Sequence, residues 1–258
     1  MGALITIAGQ KGGCGKSVSA VNISASLALF ERKTLLVDCD PQASATAWMP
    51  NLQPASKPDL TSLISSKAGI KEVIHSTDLP CLDMIPSGID LFPAAGKLSG
   101  RTDNQRILRL LLAEAAGEYD YILLDPPSSY EFLSIATVAA SDWILALTPD
   151  REDFQDEIGR LLQLVRYIRY THKLSVKLAG IVFNRCTDGS FSIDEFVKTH
   201  SADGLKDFVF QSFMPENAGV NLTATRRMPA AMHDLKSFAA RRYMEIAREL
   251  VSIFEQER

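Results

Sequence analysis

A short apolar run, Leu4 to Ala8, gives way to Gly9-Gln10-Lys11-Gly12-Gly13-Cys14-Gly15-Lys16-Ser17, and a second apolar-patterned stretch follows at once. No other feature of the chain constrains its fold as strongly. Glycines let a backbone turn its N–H groups inward around an anion. A helix opening at Lys16-Ser17 adds the positive end of its dipole to the same spot. Strand, glycine loop and helix starting on Lys-Ser form a P-loop, which cradles nucleotide phosphates along Gly12, Gly13, Cys14, Gly15, Lys16, Ser17 and Val18. Lys16 is expected to reach the β- and γ-phosphates and the Ser17 hydroxyl to ligate Mg²⁺. Counted from Gly9, strict G-x-x-x-x-G-K-S spacing puts Cys14 at the second glycine, so the intact core is Lys11-Gly12-Gly13-x-Gly15-Lys16-Ser17. A glycine turn that binds nothing has no need of that lysine and serine at a helix start. The ligands implied are ATP and Mg²⁺.

The same alternation runs through the rest of the chain. Ser17 to Phe30 reads as a helix, with Val21, Ile23, Leu27 and Phe30 among its apolar positions. Thr34 to Val37 reads as a strand ending at Asp38-Cys39-Asp40-Pro41, and Pro50 to Pro58 as a polar loop. Strands are predicted at Leu82–Ile85, Tyr121–Leu124, Trp143–Leu147, Leu178–Phe183 and, last, Phe208–Phe213. Helices are predicted over Thr102–Ala116, Ile135–Ala140, Phe154–Tyr170, Glu195–His200 and Leu235–Phe254. Short apolar strands alternating with amphipathic helices imply an α/β fold: a doubly wound, mostly parallel sheet with helices on both faces. There is no internal repeat, low-complexity tract or linker. With 258 residues, 46% of them hydrophobic, a single domain spanning 1–258 is expected.

Composition removes several alternatives. The formal net charge is −4, so any surface for nucleic acid must be a local patch. The cysteines Cys14, Cys39, Cys81 and Cys186 are scattered without a CxxC pair, which argues against a disulfide framework or a zinc site and for a reducing cytosol. No apolar run approaches the ~18 residues of a membrane span, and no signal peptide is visible. A cytoplasmic protein is expected.

The loop also carries Lys11. Lys-Gly-Gly-x-Gly-Lys-Ser resembles the deviant Walker A box of the ParA/MinD family of ATPases. Leu35-Leu36-Val37-Asp38-Cys39-Asp40-Pro41-Gln42 resembles that family's second box, and Tyr119-Asp120-Tyr121-Ile122-Leu123-Leu124-Asp125-Pro126-Pro127-Ser128 its Walker B segment. Val182-Phe183-Asn184-Arg185 falls where the family places an adenine-contacting Asn. These matches extend from about residue 4 to about residue 250.

The resemblance implies roles. Lys11 matches the signature lysine that crosses a nucleotide-sandwich dimer to the partner's ATP. Lys16 matches the P-loop lysine, and Asp40 the carboxylate that orients the attacking water. Asp38 and Asp125 match the acids that hold Mg²⁺ through waters, and Asn184 and Pro215 frame the adenine. For Asp38 and Asp40 a strand-end cap is the other reading. Hydrolysis of ATP to ADP and phosphate is then expected to be slow and to depend on dimerisation. Pro215 is followed by Glu216, where relatives often carry a basic residue.

The fold alone does not choose among the family's functions. A ParA-like protein positions or segregates DNA or another large cargo. It does so as an ATP-dependent homodimer on non-specific double-stranded DNA, with hydrolysis stimulated by a ParB-like or cargo-adaptor partner. DNA phosphates need a basic patch. Ile158 to Cys186 holds Arg160, Arg166, Arg169, Lys173, Lys177 and Arg185 and no acid, and Arg166, Arg169 and Lys173 recur at helical spacing. A second cluster comprises Arg226 and Arg227, with Lys236, Arg241 and Arg242 further on. Either cluster also reads as a solvated helix face. A MinD-like membrane protein would end in a basic amphipathic helix, whereas this chain ends Glu-Gln-Glu-Arg. A protein-partner switch without DNA binding is the remaining alternative. A nitrogenase-reductase-like enzyme would need cluster-holding cysteines, and the loop after Asp125, Pro126-Pro127-Ser128-Ser129-Tyr130-Glu131-Phe132, has none. The P-loop strand opens the chain, which resembles the short ParA-like partition ATPases, so no added operator-binding domain is expected. Nucleoid association follows from the ParA-like reading.

Overall fold

The computed structural model describes residues 2–9, 12–49, 52, 57–98, 106–127, 132–150, 153–186, 192–200, 204–216 and 227–256. Lys11 and Arg226, two of the expected site residues, lie outside them, as does Ser128.

The apolar run becomes β1 (Ala3–Ala8), and the glycine loop leads into α1 (Lys16–Leu29). β2 (Thr34–Asp38) follows, then short helices α2 (Leu60–Ile64) and α3 (Ile70–Val73). Next come β3 (His75–Ser76), β4 (Leu82–Ile85), α4 (Leu91–Leu98) and α5 (Ile107–Leu112). β5 (Tyr121–Asp125), α6 (Phe132–Ala140), β6 (Trp143–Thr148), α7 (Phe154–His172) and β7 (Lys177–Cys186) complete the central alternation. α8 (Ile193–His200), β8 (Met214–Pro215) and a C-terminal helix, Phe238–Gln256, close the chain.

The strands form one sheet in the order β3-β4-β2-β5-β1-β6-β7-β8. Every pairing is parallel except the β3–β4 edge. β1 lies between β5 and β6, so the chain leaves it in one direction to build β2 to β5 and crosses to the other side for β6. A ligand crevice forms at such a switch point, outside the carboxyl ends of the strands. The register puts Asp38 directly beside Asp125, at the ends of β2 and β5.

Side-chain alternation along β1 divides the core. Ile5 and Ile7 face α1 and the C-terminal helix, where Val21, Ile23, Leu27, Tyr243, Ile246, Leu250 and Phe254 are buried. Leu4 and Ala8 face the opposite layer, with α2, α4 and α5 over one half and α6, α7 and α8 over the other. α7 buries Phe154, Ile158, Leu161, Val165 and Ile168 at spacings of three and four, which puts one stripe on the sheet. Each such residue contributes about 1.5–3 kcal/mol by leaving water.

The expected doubly wound sheet is present, with local differences. The final strand is not Phe208–Phe213. Lys206–Phe208 is a 3₁₀ turn, Val209 makes an isolated bridge to Ile181, and pairing resumes only at Met214. The backbone N–H groups of Gln211 and Ser212 donate to the Glu249 carboxylate in the C-terminal helix (2.8 and 2.6 Å), so these two residues are satisfied without a strand partner. The helix expected over Thr102–Ala116 is described from Arg106. It ends at Leu112 and tightens into a 3₁₀ turn, which brings the Ala116 carbonyl to the Gly2 N–H (2.7 Å). The antiparallel β3 and the helices α2, α3 and α4 add to the sequence-based assignment. Pro50 to Pro58 lies mostly outside the described residues.

Candidate nucleotide site

The loop is built to offer N–H groups. Gly15 caps α1 at φ 88°, a left-handed conformation that a β-carbon disfavours. A side chain there would also strike the Asn184 amide, 2.5 Å from the position its β-carbon would take. That amide donates to the Cys14 carbonyl (2.7 Å) and lies 3.5 Å from the Ser19 hydroxyl. Asn184, only 3% exposed, braces the loop from β7. Its amide nitrogen is thus committed to the loop, while in the neighbouring strand Met214 pairs with Asn184 and Pro215 with Cys186. Cys14 is buried, and burial pushes its thiol up, so it packs as a neutral group rather than as a reactive thiolate.

Lys16 is 5% exposed and folds back over the loop. Its ammonium donates to the Gly9 carbonyl at 3.3 Å and lies 4.0 Å from the Cys14 sulfur. A phosphate entering the loop offers this ammonium a charged acceptor in place of a neutral carbonyl, which adds ion-pair attraction to the hydrogen bond. Ser17 and Val18 follow in the first turn of α1, half-buried.

The three acids at the strand ends are not equivalent. Asp38 is fully enclosed and fully engaged. Its Oδ1 accepts from the Asp40 N–H (3.0 Å), and its Oδ2 accepts from the Thr46 N–H and hydroxyl (2.8 and 2.7 Å). Asp38 thus takes the turn-organising part that its position also allowed. Burial pushes its carboxyl up to about 6, against the pull of the Thr46 bonds. Asp125 is equally buried, yet neither of its oxygens has a partner at hydrogen-bonding geometry. Burial first, and then repulsion from Asp38, push it well above the usual carboxylate range. The Ser17 hydroxyl and the Lys16 ammonium favour its charged form. A buried carboxylate with open oxygens, beside a serine hydroxyl and close to a phosphate loop, fits a hydrated divalent cation. Among the described residues no three His, Cys, Asp or Glu side chains converge as a metal cage, so the cation would share its shell with phosphate and water.

Asp40 is 7% exposed and accepts from the Gln42 N–H (2.9 Å). Two residues outside the sequence motifs hold its loop. The Ser87 hydroxyl donates to the Asp40 carbonyl (2.8 Å), and the Ser87 N–H donates to the Thr46 hydroxyl (3.0 Å), which in turn reaches Asp38. Thr46 and Ser87 therefore couple the two acids. No local pattern marks Ser87, because its partner lies 47 residues away.

The basic residues separate. Arg166 and Arg169 are exposed on α7, and Lys173 caps it in a left-handed conformation, with the 90%-exposed Tyr170 between them. Arg185 does not belong with them, because its guanidinium lies on the P-loop. Lys177 stacks over Trp143 at the other end of the sheet. In the second cluster, Arg227 and Arg241 are exposed, but Arg242 is not a free cation. It pairs with Glu245 (2.8 Å) and lies over the rings of Phe213 and Phe238. The two clusters also sit on opposite faces of the sheet, since α7 and the C-terminal helix cover different layers.

Comparison with known proteins agrees with this geometry. Residues 2–178 match the AAA_31 family, described as an AAA domain. The chain superposes on the ATP complex of a Cyanothece McdA(D38A) variant with a TM-score of 0.83 at 21% identity, covering 97% of this chain and 96% of that one. The Mg-ADP complex of the septum site-determining protein MinD from Pyrococcus horikoshii superposes with a TM-score of 0.81 at 18% identity, covering 100% and 99%. The chromosome-partitioning ATPase Soj of Treponema pallidum is 31% identical over 98% of both chains. This protein therefore belongs to the ParA/MinD family of deviant Walker A P-loop ATPases, among its partitioning members of the ParA/Soj type.

Proposed function

We propose that this chain is a ParA-like positioning ATPase. In this reading it dimerises on ATP, binds DNA without sequence preference, and releases it when a ParB-like or cargo-adaptor partner stimulates hydrolysis. The observation that carries the reading is the buried Asp125, whose open oxygens stand beside Ser17 and Lys16 at the end of a P-loop sheet. Phosphoryl transfer to water requires positioning and charge neutralisation more than covalent chemistry. Lys16 and the loop N–H groups hold the phosphates. Ser17 and Asp125 hold Mg²⁺, with Asp38 shaping the adjoining turn, and Asp40 orients the attacking water. When bound, Mg²⁺ neutralises charge on the phosphate oxygens. Lys11 supplies the second lysine across the dimer, which makes hydrolysis slow in the monomer. Asn184 and Pro215 flank the base.

For DNA, the exposed stripe of Arg166, Arg169 and Lys173 on α7 is the better surface. It is free of acids, whereas Arg242 in the other cluster is neutralised by Glu245. A membrane role is less well supported. No described helix is long and apolar enough to cross a bilayer, and the C-terminal helix spends its apolar stripe on the core.

The test is binding to non-specific duplex DNA at several salt concentrations, with ATP, with ADP and without nucleotide, alongside sedimentation. DNA binding only with ATP is expected. Lys11→Ala should bind ATP yet stay monomeric, and Arg166→Ala with Arg169→Ala should lower the salt slope by about 0.9 per lost contact. DNA binding indifferent to nucleotide, or a Lys11→Ala protein that still dimerises on ATP, would sink the reading.

A further inference from the structure

Arg185 occupies a position that its sequence neighbours do not explain. It sits in β7 at φ 62°, a left-handed conformation uncommon for residues with side chains, at the register break between the Asn184–Met214 and Cys186–Pro215 pairings. Such outliers persist where surrounding contacts over-determine them, and they cluster at ligand clamps. The break turns the arginine out of the sheet towards the loop. One end of its guanidinium donates to the Gly13 carbonyl and the other to the Glu216 carboxylate, both at 2.7 Å. Glu216 is itself anchored to the same break, its N–H donating to the Cys186 carbonyl (2.8 Å).

We infer that Arg185 is a positioning residue that pre-sets the P-loop for phosphate, and that Glu216 sets how strongly the site prefers ATP over ADP. This inference rests on the reading of Gly9–Ser17 as a nucleotide site. In a planar trans peptide the C=O and the following N–H point in opposite directions. Arg185 holds the Gly13 carbonyl, so the Cys14 N–H points to the other side of the loop. Asn184 holds the Cys14 carbonyl and orients the Gly15 N–H in the same way. Two consecutive donors are thus aimed from adjacent residues of one strand, which is how an anion nest is pre-organised. The planar fork of arginine satisfies two fixed acceptors at once, and a lysine does not. Glu216 supplies the second acceptor and pairs with the guanidinium at 2.7 Å, so it offsets the positive charge that Arg185 brings to the Gly13 end of the loop. That offset costs the more highly charged ATP more than it costs ADP.

The two residues therefore have effects of opposite sign, which a scaffolding role alone does not produce. The experiment is equilibrium titration of the full chain, with Mg²⁺, by fluorescent ATP and ADP analogues at low and high salt. Arg185→Ala should weaken ATP by about tenfold and ADP less, with Arg185→Lys recovering only part of the loss. Glu216→Gln should tighten ATP relative to ADP by a few-fold at low salt, and the gain should shrink at high salt. Glu216→Gln weakening both nucleotides, or an ATP-to-ADP ratio unchanged in both variants, would overturn the inference while leaving the site in place. Wild-type protein that binds neither nucleotide would overturn the site itself, and the inference with it.

Discussion

The two edges of the central sheet handle an aspartate in opposite ways. At the amino edge, Asp142 is answered from two directions. Arg109 pairs with its Oδ1 at 2.7 Å, and the Leu4 N–H approaches its Oδ2 at 3.3 Å. Arg109 also donates to the carbonyls of Ala140 and Ser141 (3.0 and 3.3 Å). A cavity of about 360 Å³ opens there, lined by Leu4, Trp143 and Phe254 with this neutralised pair on its wall. At the carboxyl edge, Asp125 is wholly buried with both oxygens unanswered and Asp38 alongside. A cavity with satisfied charges is a feature of packing. Unsatisfied buried charge weakens the fold, and a ligand that relieves it gains affinity. The contrast therefore favours the carboxyl edge, where the polar groups are incomplete, as the place proposed for the nucleotide, although the 360 Å³ cavity lies at the amino edge.

Three substitutions bear on this contrast, in order of expected size. Lys16→Ala should abolish nucleotide binding, a loss of 100-fold or more in calorimetric titration (about 3 kcal/mol). Retained binding would mean that the carboxyl edge is not the site. Asp125→Asn should act in two directions, with Mg²⁺-dependent hydrolysis lost and the nucleotide-free protein stabilised at neutral pH. The sign follows from the raised carboxyls. Asp38 is pushed up to about 6 and Asp125 well above its usual range, so the folded state holds protons that the unfolded chain releases. Their contribution is favourable below the ordinary carboxylate range and is lost as pH rises through the folded values. Melting temperature should fall as pH climbs from about 4 past 6, and Asp125→Asn should flatten that fall. An unchanged pH profile in the variant would break the account of Asp125. The smallest effect is expected from Arg109→Ala at the amino edge. The pair is a third or more exposed, so about 1 kcal/mol is at stake, or ~2–4 °C in melting temperature. Nucleotide affinity should not move, and a tenfold loss on titration would tie the amino-edge cavity to function after all.

What was legible in the sequence shares one property: its physics is local. The strand, glycine loop and lysine-serine helix start lie within a few residues of one another, and β1 and α1 fall where expected. Tyr121 to Leu124 and Trp143 to Leu147 are short apolar runs closed by turn residues, and both are central parallel strands. Phe208 to Phe213 reads equally well as a strand, but the N–H groups of Gln211 and Ser212 are taken by Glu249, a partner no local pattern reveals. Arg185 and Arg242 counted among cations available to DNA until the fold placed one on the P-loop and the other between two phenylalanines. Asp38 and Asp125 look alike in their motifs, and the bonds from Thr46 and from the Asp40 N–H separate the engaged acid from the open one.

Taken alone, the amino-acid order determined the doubly wound α/β fold and, within it, the strand, glycine loop and Lys-Ser helix start. Each depends on backbone conformation and hydrophobic periodicity over one or two consecutive elements. The tertiary structure decided which acid keeps both oxygens without a partner, which arginines remain on the surface, and what holds the loop in shape. Those outcomes rest on groups far apart in the chain, such as Asn184 and Arg185 bonded to loop carbonyls 170 and 172 residues away. A hydrogen bond or a buried charge is settled by what surrounds it in space, and only the folded sheet brings those partners within reach.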